Sequence, residues 1–336
     1  MKKIQSIVLT MLLAFGFEAV ADINAALKIE SIYSEDRGKN IEVYYWYPTK
    51  EQKLNFRFGN KKIFLPVDVA LDADIALGKF PIIVLSHGGM RSSFSHVGWI
   101  ASSLSKEGYI VITPKPPEYD ELVPDQAIDE LYLRPGDIST GLSGIDNISL
   151  FDGNIDKENT TGVGFFLGGT SMLTLAGAKF DLKKYKASCN DAGVNIDCKW
   201  FSNNKVDISS VSGDLVTKLK KDDRIRSIVI INPELTKTLD ANSLRDVKGK
   251  VSVISLSGEL DSALAPSDNL SKIPLFNISE ISSAVAFSAF SICTPKGIKI
   301  LSIEGEAGIC SELNQYTREE NHKKIIASIV QSLPGR

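Results

Sequence analysis

Residues 160–178, TTGVGFFLGGTSMLTLAGA, carry the spacing of a nucleophilic acyl-transfer site. A β-compatible run, Thr160 to Val163, meets Gly164-Phe165-Phe166-Leu167-Gly168-Gly169, and a small-residue, helix-forming stretch follows. In a Gly-x-nucleophile-x-Gly elbow, glycines stand two residues either side of the nucleophile because the turn is too tight for side chains there. Gly164 and Gly168 fill those places, so the tip of the elbow is Phe166. A benzyl group has no nucleophilic atom. The same chemistry needs three further parts in chain order: oxyanion donors after an early strand, a carboxylate after a later strand, and a histidine after the last.

Ser86-His87-Gly88-Gly89 closes an early apolar run. Gly88 and Gly89 suit backbone N–H groups aimed at a developing negative charge, with Leu167 supplying a second N–H; the competing reading is a plain glycine turn. Asp261, in Leu256-Ser257-Gly258-Glu259-Leu260-Asp261, is the acid candidate, against a solvated loop carboxylate. Of three histidines, His87 and His96 precede the elbow. His322 follows Asp261 but lies three and four residues before Ile325 and Ile326, on the packed side of a helix, which favours a structural role. Nucleophile and base are both missing from their places. A rearranged site would have to use a serine such as Ser171 or Ser288.

The elements that would hold these residues read as an α/β chain. At 336 residues with 43% hydrophobic and 24% charged content, the chain fits one large domain. Pro81 to Ser86 and Tyr109 to Thr113 are continuous apolar runs of the kind buried in parallel sheets. Between them, Ser93 to Lys106 has helical spacing, with Gly108 placed to stop it. Ile41 to Trp46 reads as a strand ended by Pro48, and residues 51–79 as a hairpin or surface excursion. Arg134-Pro135-Gly136-Asp137 is suited to opening a helix. Ile225 to Ile231 and Val251 to Leu256 are further strands, and Ser282 to Phe290 is the candidate for the last. Glu319 to Leu333 is an amphipathic closing helix. The expected architecture is a doubly wound, mostly parallel sheet, with residues 183–223 as a small disulfide-containing cap or insertion.

Residues 1–21 read as a secretory signal: Lys2 and Lys3, an apolar core from Ile7 to Phe17, and Ala19-Val20-Ala21 as cleavage site. The domain is then 22–336, periplasmic or secreted, without a stable membrane span after cleavage. Cys189, Cys198, Cys293 and Cys310 all lie in that part. An even count in an oxidising compartment favours disulfides. The pairing Cys189–Cys198 and Cys293–Cys310 closes the shortest loops, with two other connectivities open. No C-x-x-C is present, so neither a metal nor a cofactor is expected. The formal charge of −3, without a basic stripe, gives no support for nucleic-acid binding.

Taken together, these stretches resemble the α/β-hydrolase superfamily, in particular exported dienelactone-hydrolase-like and platelet-activating-factor-acetylhydrolase-like proteins. The matching segments are Asp36-Arg37 with Tyr45-Trp46-Tyr47-Pro48, and Gly78 to Pro81 running into Leu85 to Gly89. Gly108 to Val111, Arg134 to Asp137, Gly164 to Ala178, Ser257 to Asp261 and Phe287 to Cys293 continue the series. The family's Gly-His-Ser-x-Gly-Gly falls on Gly164 to Gly169, which puts its serine at Phe166 and its preceding histidine at Phe165. Its catalytic histidine falls on Ala286 and its acid on Asp261, while its His-Pro pair is here Lys115-Pro116. The resemblance implies an ester-hydrolase scaffold that has lost serine and histidine. The expected function is that of an exported, catalytically inactive homologue binding a small apolar ligand in the remnant pocket or a protein partner. Two alternatives stand beside it: an active serine ester hydrolase with a rearranged site, and an interaction protein using the acidic stretch 118–130 or the Cys189–Cys198 insertion.

Overall fold

A computed structural model describes residues 22–59, 62–117, 123–258, 262–313 and 315–335, apart from the side chain of Asp125. The expected signal segment 1–21 and the acid candidate Asp261 therefore lie outside the described residues.

The strands are β1 (Asn24–Ser34), β2 (Lys39–Thr49), β3 (Phe56–Phe58), β4 (Val67–Leu71), β5 (Phe80–Ser86), β6 (Ile110–Pro114), β7 (Ile155–Phe165), β8 (Ser227–Ile231), β9 (Lys250–Ser255) and β10 (Phe276–Glu280). They form one sheet in the order β10-β9-β8-β7-β5-β6-β2-β1-β4-β3. From β10 to β6 every pair is parallel, and β2 joins β6 antiparallel. In β5, Ile82 and Val84 face one core while Ile83 and Leu85 face the other. That alternation is why both sides of the run are apolar. Helix α1 (Val97–Lys106) crosses from β5 to β6 and packs with the Ile83 face, α2 (Glu130–Gly144) leads back on the opposite side, and β7 then lands on the other edge of β5. The chain thus reverses direction between β5 and β7. A cleft at such a switch point, at the carboxyl ends of the strands, is where α/β sheets hold their sites.

After β7 come α3 (Leu167–Leu175) and three short helices before β8, α4 (Leu182–Lys186), α5 (Cys198–Asn203) and α6 (Asp214–Lys218). The chain closes with α7 (Pro295–Ile303) and α8 (Arg318–Ser332). Both disulfides pair sequentially, Cys189–Cys198 and Cys293–Cys310. No described helix is long and apolar enough to cross a membrane.

Four expectations are corrected. Pro48 does not end β2, which continues to Thr49; the Pro48 carbonyl accepts from Ala76, so the missing N–H also faces away from β1, and β6 pairs only as far as Trp46. Arg134 to Asp137 lie inside α2 rather than opening it, because Glu130 starts the helix and is locked to Arg134 one turn on. Glu130 is accordingly buried and paired, not part of an exposed acidic loop. Ser282 to Phe290 is not a strand: the last strand is β10, an edge strand with a mostly polar exposed surface, and Ala286–Ala289 is a 3-10 turn.

Candidate functional site

Backbone sterics build the elbow. Phe166 has φ 54° and ψ −124°, a left-handed conformation that L-residues avoid. A Cβ at Gly164 would collide with the Gly168 carbonyl, and one at Gly168 with that of Ser86, so the flanking positions admit only glycine. The Phe166 N–H donates to Ile231 O at 3.0 Å, and its carbonyl accepts from Gly169 and Thr170 as α3 begins. The strained tip is thus held from β8 and from the helix. Strain of this type costs ~1–3 kcal/mol and persists only where the surroundings over-determine it.

What the elbow presents is a ring. Phe166 is 5% exposed and stands edge-on to His87 and Phe290, with centroids 5.9 and 6.0 Å away. Phe165 is fully buried beneath it against His87. Ala286 belongs to the same apolar cluster as Phe166, in the turn after β10, and its methyl group carries no proton-transferring atom. Ser171 is buried inside α3, donating to Leu167 O at 3.1 Å; Ser288 is buried and donates to Glu312 at 2.5 Å. Cavities of about 360 and 140 Å³ lie elsewhere, the first beside α2 and Lys218, the second near Lys79 and Leu333.

Of the expected oxyanion donors, Gly89 N–H is turned inward and donates to Ser92 Oγ at 3.0 Å, while Gly88, at φ 90°, gives its carbonyl to Gly168 N–H. Against Gly89 lies the buried side chain of Glu234, a residue not singled out from the sequence. Burial pushes that carboxyl up to about 8; Asp197 raises it further, while Arg134, Arg91 and the Leu167 amide oppose the rise. Arg91 also grips Asp197 at 2.7 Å, which ties the segment carrying the Cys189–Cys198 disulfide to the loop after β5.

The histidines were also missed as a group. His87, His96 and His322, remote in sequence, meet around one buried irregular stretch, Ala289 to Ser291. His87 Nε2–H and Trp99 Nε1–H donate to Ala289 O, each at 3.0 Å, and His322 Nε2–H donates to Phe290 O at 2.9 Å. The Ser291 N–H donates to His96 Nδ1 at 3.1 Å. These imidazoles satisfy backbone groups that water cannot reach. Burial holds all three uncharged, taking His87 to about 4, His322 to about 3 and His96 well below its usual value. His322 stacks on Trp99 at 3.5 Å, in keeping with the structural role expected for it.

The order of strands, the crossover handed back at β5, and the left-handed residue between β7 and α3 decide the architecture. The fold is that of the α/β-hydrolases. A solved ferulic acid esterase from Streptomyces cinnamoneus matches with TM-score 0.55 at 11% identity, over 94% of this chain and 92% of that one. An acylaminoacyl peptidase from Pyrococcus horikoshii matches 95% of this chain but only 43% of its own length, at TM-score 0.49 and 13% identity. A dienelactone hydrolase from Klebsiella pneumoniae aligns over 87% of this chain and 99% of its own at TM-score 0.43 and 13% identity. No protein-family model matches the sequence, and no curated protein matches it. At these identities the likeness concerns the fold.

Proposed function

We propose that this chain is an exported α/β-hydrolase-fold protein that performs no acyl transfer at its elbow and acts by binding a protein partner. The observation that carries the reading is Phe166: the nucleophile's backbone conformation is kept, and its side chain is a buried ring. Ala286 at the histidine's place supports it, since losing either member of such a pair typically removes several orders of magnitude in rate. A small apolar ligand in the remnant pocket is less favoured, because Phe166, Phe290 and His87 fill that space themselves. Export rests on the signal-like residues 1–21 and on two disulfides, which suit an oxidising compartment.

The test is chemical. Purified protein exposed to a fluorophosphonate should remain unlabelled by intact mass spectrometry and should not hydrolyse short p-nitrophenyl esters above a protein-free control. Stoichiometric labelling mapped to Ser171 or Ser288, lost with its substitution by Ala, would establish the rearranged hydrolase instead.

A further inference from the structure

We propose that two copies of this chain pair through β10, edge to edge and antiparallel, so that their sheets continue into one. The inference goes beyond the reading above and does not depend on whether the elbow is catalytic. β10 ends the sheet, with β9 on one side and no described strand on the other. The ladder turns Leu275 O to Val251 N–H and Ile281 N–H to Ser255 O, each at 2.8 Å. Backbone direction alternates along a strand, so Asn277 and Ser279 also face β9, while Phe276, Ile278 and Glu280 turn their N–H and C=O groups outward. No described residue bonds to those outward groups. The two ends of the sheet are guarded unequally. β3, at the other end, is three residues long, and its Arg57 is ion-paired to Asp68 at 2.6 Å. Shortness and charge are how proteins keep an edge from recruiting another strand. β10 has five residues, FNISE, without proline or lysine and with one charge, Glu280. Ile278 at its centre is 50% exposed, and Leu275 just before it 62%.

A second copy fits this edge because the edge complements itself. A two-fold axis at Ile278 sets Ile278 against Ile278 of the second copy, and Phe276 against Glu280 of the second copy. All three are outward residues, so every outward N–H meets an outward C=O. An axis one residue to either side pairs only two of the three within the strand. In the register centred on Ile278 the two isoleucines lie side by side, and Leu275 comes opposite Ile281. Neither Glu280 faces a like charge, since each stands beside a phenylalanine. Five paired residues a side bury less than the ~1,200 Å² of a standard interface, so the dimer is weak, with a dissociation constant on the order of 10–100 µM.

Sedimentation of the full mature chain decides this. Its weight-average mass should rise from monomer towards dimer between about 5 µM and about 0.5 mM. Ile278→Pro removes an outward N–H and no bond to β9, so it should stay folded and weaken the dimer by about tenfold or more. Ile278→Lys sets two ammonium groups side by side and should do the same. All four native cysteines are in disulfides, so a single added thiol reports cleanly. A short bis-maleimide should join two Ile278→Cys chains, whose α-carbons lie ~5.5 Å apart across the axis, far more readily than two chains carrying Ser209→Cys on an exposed turn. A mass that stays monomeric to about 0.5 mM overturns the proposal, even if an unrelated extended peptide binds the edge. So does a dimer that both folded substitutions leave unchanged, or equal cross-linking from the two cysteine positions. If Ile278→Pro does not fold, Ile278→Lys decides. Esterase activity in the wild type would sink the non-catalytic reading and leave these measurements as they stand.

Discussion

Two buried loops flank the elbow, and the protein satisfies their backbone by opposite means. The carbonyls of Gly88, Gly89 and Met90, after β5, all accept from the guanidinium of Arg134. That charge lies in a buried quartet. Arg134 binds Glu130 at 3.3 Å, and Arg37 binds Glu130 at 2.8 Å and Asp137 at 2.7 Å, so two cations face two anions. Burial opposes ionisation throughout, but the neighbours raise Arg37 and hold Glu130 down, while burial leaves Asp137 at about 6. The second loop, Ala289 to Ser291, relies chiefly on imidazoles and a tryptophan, with Arg318 adding a longer contact to Ser291 O. A charged donor in low dielectric must bring its counter-ions; a neutral one needs none but becomes a liability when it takes up a proton.

The largest effect expected from this contrast is on the charged side. Arg134→Met would strip three carbonyls of their donor and leave Glu130 short of a partner, costing ~3–5 kcal/mol in urea unfolding at pH 7. A loss below ~1 kcal/mol would mean that the quartet does not hold the loop. On the neutral side the probe is pH. The histidines' folded values are depressed below the unfolded 6.5, so the unfolded chain binds more protons between 6.5 and about 4, and stability present above 6.5 drains away as pH falls. Asp137 and Glu234, raised to about 6 and about 8, contribute with the opposite sign over their own ranges, so the net slope understates the imidazoles. His322→Phe isolates one of them: it keeps a ring on Trp99 and should flatten the pH 4.5–6 slope relative to wild type by up to about 1.4 kcal/mol per pH unit. Unchanged slopes would show that His322 is charged in the fold. The smallest effect is Ser34→Ala, which removes a 3.3 Å hydrogen bond that holds the Asp137 carboxyl down; it should cost ~1 kcal/mol at pH 7 and less as Asp137 takes up its proton at lower pH.

The elbow was legible because it is local. Gly164, Phe166 and Gly168 lie within five residues, and hard-sphere contacts in so short a stretch admit few conformations. β5, β6, β8 and β9 were legible for a related reason, as both faces of each are buried and each run is mostly β-branched or apolar. β10 was not, since an edge strand with one polar face does not differ from a loop in composition. β1 was missed too, though its eleven residues pair with β2 along their whole length, because its sequence mixes polar and apolar positions.

From the residues alone followed the fold class, the disulfide framework as one of three pairings, and phenylalanine at the tip of the turn between β7 and α3. Only the tertiary structure could choose what surrounds that phenylalanine. Glu234 arrives from 68 positions beyond the tip it closes on, and His322 from 235 positions beyond His87, counted on the chain. Such meetings depend on how strands are ordered in the sheet, and side-chain spacing along one segment carries no record of that order.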